Sequence, residues 1–85
     1  MRKTAKMVCQ SLREGNFTFS VHAASRSEER LISREDIKNI AATAHTVTSR
    51  DDGSFKVVGV DLEDFETTVY CRFLERPRVL IITLI

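Results

Sequence analysis

Helical spacing in the first half of the chain gives way at Thr46 to alternation with a period of two. That change predicts an α+β domain with helices packed on one face of a mostly antiparallel, curved sheet of four to five strands. Two further observations agree. The 85 residues make one domain, 1–85, because a chain this short buries only around two thirds of its unfolded surface and needs every apolar stripe for a single core. At 42% hydrophobic and 29% charged residues, the composition is too apolar for a disordered chain.

A first helix is expected from Lys3 to Glu14, where Ala5, Val8, Cys9 and Leu12 recur at helical spacing and Gly15 supplies the stop. Phe17 and Phe19 alternate with Asn16 and Thr18 as a short strand, after which Ser20 can cap a helix running from Val21 to Arg30. Ser33 starts another, with Glu35 and Asp36 in its first turn and Ile37, Ile40, Ala41 and Ala44 as its core stripe. Val47 begins a strand, Asp52-Gly53 marks a hairpin, and Phe55 to Asp61 returns. After a turn near Glu63-Asp64, the residues Phe65, Thr67, Val69, Cys71 and Phe73 are expected to face the core, with Glu66, Thr68, Tyr70 and Arg72 on a wetter side. Arg76-Pro77 turns the chain into Val79 to Ile85. This last segment is apolar on both faces, which suits a central strand and predicts that a partner or a second copy covers the face that the first helix leaves bare.

Lys and Arg number 13 against 12 Asp and Glu, so nucleic-acid binding must rest on local basic clusters rather than a global field. Those clusters are Arg2, Lys3 and Lys6, then Arg26, Arg30 and Arg34, then Arg72, Arg76 and Arg78. Cys9 and Cys71 lack zinc-site spacing and are too few for a disulfide framework, so they read as buried thiols of a reducing compartment. With no signal-peptide core and no run of membrane-spanning length, a cytoplasmic location is expected, with no membrane, metal or cofactor.

The chemistry concentrates in SVHAASRSEERLI, Ser20 to Ile32. His22, Arg26, Glu29 and Arg30 lie at offsets of four, seven and eight residues, which places them within roughly a third of a helix circumference. An imidazole can act as a base, free N–H groups of the first helical turn with two guanidinium forks can hold a phosphate, and Glu29 can orient either. Tyr70 and Arg72, on the wetter sheet face, complete such a site if that face adjoins the helix. Each also has a structural reading. Arg26 and Arg30 can be held by Glu29, Tyr70 can be a cross-strand packing residue, His45 suits a helix C-terminus, and Thr83 can satisfy a buried hydrogen bond.

The segments FSVHAASRSEERLISREDI, FKVVGV and VLIITLI resemble the family catalogued as domain of unknown function forty-two fifty-eight. The pattern falls here on Ser20, His22, Ala23, Arg26, Arg30, Ile32, Ser33, Gly59, Ile82 and Thr83. It spans 17–85 as a family-like core, with 1–14 as an extra N-terminal helix. Leu31 stands where many members of that family have Gly. The resemblance implies an architecture similar to the RelE/ParE toxin superfamily, and hence a toxin-like half of a toxin-antitoxin pair. In that reading His22, Arg26 and Tyr70 are catalytic in a metal-independent ribonuclease, Arg30 and Arg72 hold RNA, and Glu29 orients them. The implied partners are RNA or the ribosome and a cognate antitoxin. The alternative is a non-catalytic protein-binding or inhibitory module of the same fold.

Overall fold

The computed structural model describes residues 3–85. Arg2, counted above in the first basic cluster, lies outside them. The described residues form α1 (Lys3–Arg13), β1 (Phe17–Phe19), α2 (Val21–Arg30), α3 (Arg34–Ala42), β2 (Thr46–Ser49), β3 (Phe55–Val60), β4 (Glu66–Phe73) and β5 (Val79–Leu84). The five strands lie in the order β1-β5-β4-β3-β2, with β1 parallel to β5 and every other neighbour antiparallel. The protein is therefore an α+β domain with a mixed, open sheet, and β5 is an interior strand as its two apolar faces demand.

Local chemistry sets the helix ends. Gly15 follows α1 at φ +79°, a left-handed conformation that costs glycine little and ends the helix. At α3 the Ser33 hydroxyl accepts from the Asp36 N–H at 3.2 Å, and the Asp36 carboxylate accepts from the Ser33 N–H at 2.8 Å, forming a capping box. The second Asp36 oxygen accepts from the Leu62 N–H at 2.9 Å and so fastens the β3–β4 loop to the helix start. Arg34 donates to the carbonyls of Gly15 and Phe17 at 2.8 and 3.1 Å, and its guanidinium lies 4.1 Å from the centre of the Phe17 ring. The α1–β1 connection is thereby tied to α3. After α2, Leu31 takes φ +56°, where a side chain costs about 1 kcal/mol or more.

One core joins Val8 and Leu12 of α1, Ile37 and Ile40 of α3, and the inner face of the sheet, including Val57, Val69, Cys71, Val79, Ile81 and Leu84. Helix α1 is part of this core rather than an appendage to it. Gly59 is the tightest point: a Cβ there would stand 2.1 Å from the Ile40 carbonyl oxygen, so α3 rests directly on the β3 backbone. Asn39 and Thr43 reinforce the contact through bonds to Val60 and Asp61.

Three expectations are corrected. Phe65 does not face the core; it is 67% exposed, because β4 begins only at Glu66 and the alternation of the strand does not extend into the preceding loop. His45 does not serve the end of α3. That helix ends at Ala42 with Thr43 as its cap, and His45 instead reaches Glu66 at 3.3 Å across the start of β4. A bulge between β4 and β5 at Tyr70/Cys71 shifts the alternation of β5, so that Ile81 and Leu84 both point inward while Ile82 and Thr83 do not. Thr83 is half-buried and makes no side-chain hydrogen bond among the described residues, contrary to the hydrogen-bonding role expected of it.

Candidate functional site: the α2 edge and the outer sheet face

The short β1 explains where α2 lies. Pairing of Phe17–Phe19 with Val79–Ile81 covers only half of the outer edge of β5, leaving later carbonyls without a strand partner. Helix α2 supplies what the strand lacks. The Ser20 N–H donates to the Ile81 carbonyl at 2.9 Å, and the Ser20 hydroxyl donates to that of Ile82 at 2.8 Å while accepting the Ala23 N–H at 3.0 Å. One turn later, Arg26 Nε donates to the Leu84 carbonyl at 3.2 Å. The motif that sequence inspection selects for its chemistry thus also closes a sheet edge.

Ala23 is the only buried residue of α2. His22, Glu29 and Arg30 are exposed, and among the described residues none makes a side-chain hydrogen bond or ion pair. The Arg26–Glu29 pairing anticipated from spacing is absent, because the Leu84 carbonyl holds Arg26 instead. Arg26 is half-buried, which is unusual for a purely solvated arginine and consistent with its backbone partner.

Tyr70 and Arg72 sit on the sheet face turned away from the helices. In the sheet Tyr70 stands opposite Lys56 on one side and Thr83 on the other, while Arg72 stands opposite Leu80. The Arg50 guanidinium lies 4.8 Å from the centre of the Tyr70 ring. Arg50 and Lys56 escape sequence inspection, since only strand register brings a turn residue and a β3 residue onto Tyr70. Leu80 and Ile82 are half-buried on this outer face, and Val58 is buried without joining the helix-covered core. Because β4 neighbours β5, the Tyr70 row and the α2 edge are separated by one strand, a spacing of about 5 Å per strand.

Burial pushes the Cys71 thiol up to about 12, with nearby Cys9 adding to the effect; burial raises Cys9 too, against the opposing influence of Arg13. Neither is a ready thiolate nucleophile. Among the described residues no three His, Cys, Asp or Glu side chains gather as a metal cluster, and no helix is long and apolar enough to cross a membrane.

Residues 19–85 match the family described as Domain of unknown function (DUF4258), and the chain belongs to it. The match begins within β1, so α1 lies outside the shared region although it is built into the core. No curated protein and no solved structure matches the chain.

Proposed function

We propose that this member of the family is a toxin-like RNA-binding protein of RelE/ParE character, a metal-independent ribonuclease held in check by a cognate antitoxin. The observation that carries the reading is the outer sheet face. Tyr70 is flanked there by Lys56 in register, approached by Arg50 at 4.8 Å and followed by Arg72, a grouping of one aromatic ring and several cations. Such a grouping suits a single-stranded nucleic acid, whose bases stack on aromatic and guanidinium planes while its phosphates meet cations. The exposed cations and imidazole of α2 lie one strand away.

In this reaction His22 accepts the proton of a ribose 2′-hydroxyl as its oxygen attacks the adjacent phosphorus. The bond from phosphorus to the 5′-oxygen breaks, and the leaving oxygen takes a proton from Tyr70, leaving a 2′,3′-cyclic phosphate. Arg72, level with Leu80, and Arg30, a turn beyond the Arg26 that reaches Leu84, hold separate phosphates of the RNA backbone, and the guanidinium nitrogens of Arg26 that the Leu84 carbonyl does not use stabilise the extra negative charge at the transition state. Glu29 orients His22 or an arginine of the site once RNA is bound.

A second reading draws on Arg26. Its commitment to the Leu84 carbonyl fits a structural part, and with it a non-catalytic protein-binding module. Cleavage of a fluorescent single-stranded RNA and thermal unfolding, measured on the same preparations, separate the two. The nuclease reading expects His22→Ala and Tyr70→Phe to lower cleavage at least a hundredfold, about 3 kcal/mol, with the melting temperature unchanged. It also expects RNA affinity to fall steeply with salt. A wild-type chain that neither cuts nor binds RNA, alone or with ribosomes, sinks the nuclease reading in favour of the binding module.

A further inference from the structure

The face opposite the outer sheet carries a hole and a knob that match. Between α1 and α3 runs a groove of about 380 Å³ with Cys9, Ala41 and Ala44 among its lining residues and Lys6 and Arg13 also bordering it. Its apolar lining residues are small and its charges positive. The knob is the β3–β4 loop, which exposes Leu62 at 62% and Phe65 at 67% beside the acids Glu63 and Asp64. This loop is held stiffly: Asp61 accepts from the N–H groups of Glu63 and Phe65 at 2.9 and 3.0 Å, and Asp36 accepts from that of Leu62. Val21 and Leu31 are also exposed, one at each end of α2, but Leu62 and Phe65 share a single ordered loop and so form one patch.

We infer that a second copy of this chain occupies the groove, with Leu62 and Phe65 of one protomer seated between α1 and α3 of the other and Glu63 and Asp64 meeting Lys6 and Arg13. Charge complementarity selects this occupant, because the acidic rim of the knob and the basic rim of the groove belong to the same molecule. Symmetry supports it. Arg13 also lines the adjoining depression of about 290 Å³ that Leu62 borders, so knob and hole share one face and each protomer can give and receive in a closed two-fold pair. A loop already fixed by Asp36 and Asp61 loses little conformational freedom on docking. The outer sheet face stays free in such a dimer, which makes the inference independent of the proposed RNA site.

Sedimentation velocity of the full chain, across concentrations and at low and high salt, tests it. The expected result is a species of twice the 9.7 kDa chain mass that dissociates more readily in 1 M salt. Phe65→Ser and Lys6→Glu should each weaken the dimer at least tenfold while leaving the circular-dichroism melt intact. Combining Lys6→Glu with Glu63→Lys should recover most of the affinity lost to Lys6→Glu alone. A chain that stays monomeric at millimolar concentration, or a dimer indifferent to both single changes, overturns the inference.

Discussion

Helices α2 and α3 have similar lengths and adjacent positions in the chain, yet they are held in opposite ways. Helix α3 buries Asp36, Ile37, Ile40 and Ala41, sits on the bare backbone of Gly59, and is bonded at both ends to the β3–β4 region. Helix α2 buries one alanine and is fastened to the sheet by the hydroxyl of Ser20 and the guanidinium of Arg26. Packing holds the first, and hydrogen bonds to a strand edge hold the second. A helix held by few contacts leaves most of its side chains available for chemistry, whereas a helix held by packing has little surface to spare.

The sharpest way to break the packed side is Gly59→Ala. Its Cβ would meet main chain at the Ile40 carbonyl, which no side-chain rotation relieves, so a loss of about 3 kcal/mol or more is expected in urea titration, at or beyond the usual cost of overpacking. A loss below about 1 kcal/mol would show that α3 slides easily on β3.

Next in size is Asp36. Burial pushes its carboxyl up, but bonds from the Ser33 and Leu62 N–H groups outweigh this and hold it below the ordinary carboxylate value. A folded value below the unfolded one means that the ionised carboxylate stabilises the fold above the unfolded value, with that contribution lost as pH falls through the folded one. Asp36→Ala should cost about 2 kcal/mol at neutral pH through the lost cap and loop anchor. The stability gap between wild type and Asp36→Asn should narrow below about pH 4, as read by denaturation across a pH series.

On the edge-held side, Arg26→Ala should cost only about 1 kcal/mol, the net value of one hydrogen bond, and hydrogen exchange should rise first in β5 and α2. A loss as large as that of Gly59→Ala would erase the contrast between the helices. Smallest and opposite in sign is Leu31→Gly. Relief of the left-handed conformation should raise stability by up to about 1 kcal/mol, offset in part by glycine's greater freedom when unfolded. Calorimetric melting of the two chains side by side would show it.

The same contrast explains what could be read in advance. Both ends of α2, the start of α3, the stop at Gly15 and the stripe of Ile37 and Ile40 depend on residues a few positions apart, so they are visible in the chain itself. The place of Arg26 was not. Its partner, the Leu84 carbonyl, is 58 residues away and is open only because β1 has three residues. Phe65 departs from its expected face for a related reason: alternation marks which residues can share a face but not where the strand begins.

Element order, the N-terminal caps of α2 and α3, the α+β class and the grouping of His22, Arg26, Glu29 and Arg30 on one helix follow from the chain alone, because helix and strand periods and capping are local. The parallel run of β1 beside β5, the completion of an open strand edge by α2, the approach of Arg50 and Lys56 to Tyr70 and the seat of α3 on Gly59 arise only when distant segments come together. These outcomes depend on strand register and on backbone groups left unpaired between distant segments, which side-chain identity along the chain does not encode position by position.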